Sequence, residues 1–204
     1  MPASARLSSL VLAAGLVGVF AVHAVAQPAQ NRRIRGIIEK LDGHVLTVKA
    51  RDGADVTIKL ADNYAVTAYT KAQLADIKVG SYIGVAGTPQ PDGRQKAISI
   101  TIFPESARGL GDGFRPWDLP NSTMTNAAVA EAVASPDGQT LKVKYKDGEK
   151  TILVPPATPI GQFSPGERTE LKVGAAVAVP AVTKPDGSLE SSRVGVGRDG
   201  FVPN

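Results

Sequence analysis

The chain contains no cysteine. That excludes disulfides, thiolate metal sites, cysteine catalysis and a cysteine-borne lipid anchor. Histidine is nearly absent: His23 lies in the leader, and only His44 follows it. A Ser-His-Asp set or a histidine acid–base pair would have to use His44, beside a turn, where a solvated side chain is the ordinary reading. Aromatics make up 5% of the chain, with a single tryptophan, Trp117. Stacking platforms for bases or sugars are therefore scarce, which argues against nucleic acid as a partner. After residue 22 no apolar run reaches the ~20 residues that a spanning helix needs.

The first 26 residues read as a leader. Arg6 precedes an apolar run from Leu10 to Val22, and Ala24 and Ala26 supply the small residues of a cleavage site. We expect a signal peptide over 1–26, cleaved after Ala26, and a periplasmic or secreted product. Beyond it the charge is close to balanced, at 22 Lys and Arg (23 less Arg6) against 19 Asp and Glu. The surplus sits in 27–103, with 11 basic and 7 acidic residues, whereas 128–204 carries 9 of each. The pI of 9.4 thus reflects a small local excess, not a polyanion-binding composition.

What is present is a repeat. "LDGHVLTVKARDG" (41–53) aligns with "PDGQTLKVKYKDG" (136–148), and "AQLADIKVGSYIGVAGTPQPDG" (72–93) with "GERTELKVGAAVAVPAVTKPDG" (166–187). Such self-similarity marks duplicated structural units. Apolar residues at spacing two predict half-buried strands. Ile34 and Ile38 align with Val129 and Val133, Leu46 and Val48 with Leu141 and Val143, and Ile83 and Val85 with Val177 and Val179. Asp-Gly pairs between them predict hairpin turns. "KAQLADIKVG" and "PGERTELKVG" predict one short helical turn per unit. The expected fold is all-β: two tandem five- to six-stranded barrels of the oligonucleotide/oligosaccharide-binding (OB) type, over 27–103 and 128–204. SH3-like barrels, or one open sandwich shared by both units, remain alternatives.

Short paired strands with Asp-Gly turns, then "L-x-x-(I/L)-K-V-G", a valine-rich strand, "P-D-G" and a last strand resemble a family of secreted bacterial proteins. Its members are built from small repeated β-domains of uncharacterised function. The connector "FPESARGLGDGFRPWDLPNSTMTNA" (103–127) is similar to the link in two-unit proteobacterial members. The resemblance implies a fold and a compartment, and no activity.

Candidate sites follow by elimination. Asp52, Asp55, Asp147 and Glu149 place oxygens near one another, but lie in plain hairpin turns without the run of donors of a calcium loop. We therefore expect no metal and no cofactor. Thr47, Lys49, Arg51, Thr57 and Lys59 give the first unit a basic outward face, and "NRRIR" (31–35) could meet an anionic surface. The connector 104–127 lacks periodicity yet carries Leu110, Phe114, Trp117, Leu119 and Met124, too much apolar surface to leave in water. It is expected to fold back as a strap, with Trp117 over the seam between units. The expected function is a non-enzymatic binding or structural module of the cell envelope. Its surface would be the inter-unit cleft, using Arg108, Phe114, Arg115, Trp117, Asp118, Lys49, Arg51 and Lys59. The partner is an unknown envelope protein or small ligand; the alternative is a periplasmic binder of a small anion or metal ion.

Overall fold

The computed structural model describes residues 31–135 and 138–203. The expected leader with its cleavage site after Ala26, and Asp137 of one predicted turn, lie outside those residues. Twelve strands are present: β1 (Asn31–Asp42), β2 (Val45–Ala50), β3 (Asp55–Ala72), β4 (Tyr82–Pro89), β5 (Gln95–Ile102), β6 (Gly113–Pro116), β7 (Thr123–Ser135), β8 (Gly138–Tyr145), β9 (Gly148–Val154), β10 (Ile160–Gly166), β11 (Ala176–Thr183) and β12 (Leu189–Gly197). No α-helix occurs among the described residues. The predicted helical turns are single 3-10 turns, Leu74–Asp76 and Arg168–Glu170, and the connector adds Glu105–Ala107.

One closed five-stranded barrel is formed, and its strands come from both repeats. β2 lies antiparallel between β1 and β3; β12 runs parallel to β3; β11 lies antiparallel to β12 and to β1, which closes the ring. Leu46, Val48, Ile58, Val177, Val179 and Val194 are buried at its centre with no measurable exposure. The remaining strands build on the same sheet. β4 and β5, from the first repeat, pair with β7 and with β9, from the second. Ile83, Val85, Leu141, Val143 and Ile152 form a separate core there. The expectation of a barrel closed within 27–103 is therefore corrected: the first three strands of that unit close with the last two of the other.

The physical reason lies in β3. Its 18 residues span roughly 60 Å at about 3.3 Å each, far longer than a small barrel is tall. The strand leaves the barrel, pairs with β10 over 66–72, and delivers the chain to the other body. In the second repeat the matching stretch is broken by Pro155, Pro156 and Pro159, which remove backbone donors. One long strand there becomes two, β9 and β10.

The pairings are related by a pseudo-twofold axis. Phe163 pairs with Tyr69, and the two occupy equivalent positions 94 apart. Ile160 pairs with Ala72 as Gly166 does with Val66. Parallel Ile100↔Ile160 mirrors Val194↔Val66, and Lys96↔Leu153 mirrors Glu190↔Lys59. One sequence alignment needs correction. Ile38 pairs with Val48 and Val129 with Val143, each just before a bulge, so the equivalent of Ile38 is Val129 and that of Ile34 is Thr125. Val133 is 58% exposed. It belongs to an extension of the β7–β8 hairpin by four residues, which slips the alignment of the preceding strand.

Candidate functional site

The axis opens into a cleft of about 350 Å³. Where β3 and β10 cross, Tyr69 and Phe163 meet at 6.1 Å between ring centroids, and Phe103 stands edge-on to Phe163 at 4.9 Å. These rings sit directly on strand backbone that lacks side chains. A Cβ on Gly84 would lie 2.8 Å from Phe103, and one on Gly195 2.9 Å from Tyr69. β4 and β12 carry glycine there so that the aromatic floor can lie flat against them.

The connector roofs one side. Its β6 pairs with β7, from Gly113↔Asn126 to Pro116↔Thr123, and the hairpin turns through Asn121 with φ of 52°. Trp117 and Ser122 close that turn, the Trp117 amide donating to the Ser122 carbonyl at 2.9 Å. Several contacts pin the strap to the second body. The Tyr82 hydroxyl donates to Asp112 Oδ1 at 3.3 Å, the Lys146 amide donates to Asp112 Oδ2 at 2.9 Å, and Asn126 Nδ2 donates to the Leu110 carbonyl at 2.9 Å. Burial, then the charge of Asp112 and the hydrogen bond to it, push the Tyr82 phenol up to about 12. The other end of the strap reaches the closed barrel. Asp118 accepts from both terminal nitrogens of Arg35, at 2.9 and 3.0 Å, and lies 3.8 Å from Arg33 Nε. Trp117 is half-buried, with the Arg33 guanidinium 4.6 Å and that of Arg115 5.9 Å from the ring centroid. It thus packs between an arginine of β1 and one of the strap.

Electrostatically the cleft has one sign. Arg33, Arg115 and Arg193 line it, and no carboxylate does so among the described residues. Arg115 donates to the Gly111 carbonyl at 2.8 Å. Arg193 is exposed and makes no ion pair or side-chain hydrogen bond among the described residues. Burial, with Arg35 and Arg193 adding to it, holds the Arg33 guanidinium below its ordinary value, against the pull of Asp118. Burial raises the Tyr69 phenol, and Arg33 and Arg193 oppose it.

Of the sequence-predicted residues, Arg115 and Trp117 line the cleft, and Asp118 binds Arg35 beside it and lies 3.8 Å from the lining Arg33. Phe114 faces outward, 43% exposed, beneath the Lys150 ammonium at 4.5 Å. Arg108 is held away by Glu105 (2.8 Å) and the Gly80 carbonyl (2.7 Å). Lys49 pairs with Asp55 at 2.6 Å on the β2–β3 hairpin, and Lys59 is exposed; neither lines the cleft. Arg51 lines a second groove, with Lys71, Pro155–Pro159 and Phe201, and donates to the Pro203 carbonyl at 3.4 Å. The predicted set omits Arg33, Tyr69, Phe103, Phe163 and Arg193, although Arg33 lies in the basic "NRRIR" stretch. Tyr69 and Phe163 carried a signal, as aromatics at equivalent repeat positions; Arg193 carried none. No group of three or more His, Cys, Asp or Glu is placed to hold a metal ion among the described residues.

No curated protein and no solved structure matches the chain. A family model does match, but only over β1 to β5, so the second repeat falls outside it. Over residues 35–101 the chain is similar to the family described as a domain of unknown function (DUF5666).

Proposed function

We propose that this protein is a non-enzymatic, exported binding module of the cell envelope, and that the cleft on its pseudo-twofold axis holds a small anionic ligand. The observation that carries this reading is the convergence of Arg33, Arg115 and Arg193 on one aromatic-floored cleft that no carboxylate lines among the described residues. Like charges held together repel, and an anion bound among them relieves that repulsion while gaining charge-assisted hydrogen bonds. A concave, partly apolar site with a few convergent polar groups is the ordinary form of a small-molecule site. Export is inferred from the leader sequence.

The reading extends to the architecture. Each body is OB-like, and the second closes as a barrel equivalent to the first. The two-residue parallel pairing of β5 with β9 supports this, because it mirrors the closing pairing of β12 with β3. Strand exchange leaves two matched bodies with their seam, and the ligand, on the axis.

Titration calorimetry of the chain from Gln27 onward, against sodium salts of carboxylates and of phosphate at low ionic strength, tests the proposal. At least one salt gives saturable heat that is lost in the Arg33→Gln/Arg193→Gln double variant. No saturable heat from any of them, or heat unchanged in the double variant, overturns it.

A further inference from the structure

We infer that the ligand of this cleft is an aromatic carboxylate, with its carboxylate on Arg33 and Arg193 and its ring against Phe103, Leu110 and Met124. The inference rests on the anion-binding reading above and goes beyond it by naming the ligand's other half.

The pseudo-twofold axis relates the two walls of the cleft. An exact repeat would place the same side chains on both sides of the cleft. The two sides instead differ in kind. β1 and β7 are equivalent with an offset of 91, so Arg33 on one side stands where Met124 stands on the other. Both line the cleft. β12 and β5 are equivalent with an offset of 94, so Arg193 faces a position held by Ser99. Two of the three lining cations, Arg33 and Arg193, thus stand on the barrel side, while Arg115 stands beside Met124 on the strap and donates to the Gly111 carbonyl. The opposite side presents the Met124 thioether, the Phe103 ring and Leu110, which is 52% exposed.

Each half alone is unsatisfactory for a simpler ligand. An inorganic oxyanion would meet the arginines and leave the apolar wall wet. A neutral apolar molecule would cover that wall and strip water from the Arg193 guanidinium without giving it a partner, which costs free energy. A molecule with one carboxylate and one flat apolar body satisfies both walls. The floor favours a ring over an alkyl chain, because Tyr69, Phe103 and Phe163 line it and aromatic rings gain from edge-on or offset pairing beyond the area they bury. Arginine recognises a carboxylate through a planar fork, which suits a planar acid.

The test uses the same Gln27-onward chain with 2-naphthoate, acetate, inorganic phosphate and neutral 2-naphthalenemethanol as probes in calorimetry. We expect 2-naphthoate to bind at least about ten-fold more tightly than each of the other three, the measure of one satisfied charge-assisted contact or one buried ring. Arg193→Gln, at an exposed position, lowers 2-naphthoate affinity by about ten-fold. Met124→Arg, which copies the opposite wall, weakens 2-naphthoate and strengthens phosphate. Thermal melts confirm that both variants fold. Phosphate binding as tightly as 2-naphthoate overturns this inference and leaves the anion-binding reading standing. 2-Naphthalenemethanol binding as tightly as 2-naphthoate, or no probe binding at all, overturns both.

Discussion

At the scale of single residues, the two cores are built on one pattern but differ at a buried pair that is apolar in one and polar in the other. Ile34 and Leu189 are buried together in the closed barrel, and their equivalents in the second body are Thr125 and Gln95. Both of these polar residues are almost wholly buried, and both are satisfied. Thr125 Oγ1 donates to Gln95 Oε1 at 2.8 Å, while Gln95 Nε2 donates to the Thr123 carbonyl at 3.1 Å and to Thr123 Oγ1 at 2.9 Å. Removing one partner of a buried pair strands the other, whereas replacing both with apolar groups of matched shape removes the demand altogether. Thr125→Val alone is therefore expected to lower stability by about 1–3 kcal/mol. Thr125→Ile with Gln95→Leu, which copies the other core, is expected to cost less than the single change. Urea unfolding of the three proteins checks this; a double variant weaker than the single would show that the network contributes more than the apolar pair it replaces.

At the scale of elements, strands and turns were legible and their partners were not. Alternation at Leu46 and Val48, or Leu141 and Val143, reports a face, and those residues are buried as read. Asp-Gly reports a turn, and Gly43 and Gly93 do take positive φ, at 55° and 83°. But Ile83–Val85 and Val177–Val179 present the same pattern, so nothing local says which one joins β1. The length of β3 decides it, and that length shows in the sequence only as the lack of a breaker where the second repeat has three prolines. The connector's apolar content was legible; its partners Arg33 and Arg35, from β1, were hidden by distance along the chain.

The two 3-10 turns at equivalent repeat positions also differ in a way that fixes a pH dependence. Asp76 and Glu170 each cap their own turn through a backbone amide, at 2.7 and 2.8 Å. Only Glu170 also accepts from Arg198, at 2.7 and 2.8 Å, which ties the segment after β12 to the turn. The Arg198 hydrogen bonds, then the Glu167 amide, hold the Glu170 carboxyl at about 2, below its ordinary 4.5. Because the folded value is the lower one, the folded state favours the ionised carboxylate. The stabilisation is complete above about pH 4.5 and is lost as pH falls toward 2. In Arg198→Gln the Glu170 midpoint is expected to rise toward 4.5, read by side-chain NMR titration. A midpoint that stays near 2 would assign the shift to the Glu167 amide.

At the scale of the whole molecule, strand exchange should couple the two bodies in unfolding. Two barrels strung on a linker would each hold a contiguous stretch of chain, and either could melt alone. Here β1, β2 and β3 have no closed barrel without β11 and β12, and those strands are reached only through β7 to β10. β3 itself enters both bodies, pairing with β12 along 59–69 and with β10 along 66–72. Opening the second body releases β10, and with it the pairing that holds the far half of β3. The strap adds a further tie, because Asp112 is bound to Tyr82 and Lys146 while Asp118 is bound to Arg35. The two cores are distinct, but strands of each repeat complete the other's body, so neither core opens without breaking pairings of the other. Calorimetry is therefore expected to show one transition for the chain. Leu46→Ala in the closed barrel and Leu141→Ala in the second body each empty a fully buried site and should cost about 2–5 kcal/mol. Each should shift that one transition as a whole. A second peak that moves with Leu141→Ala and stays still with Leu46→Ala would show that the exchanged strands do not transmit stability between the bodies.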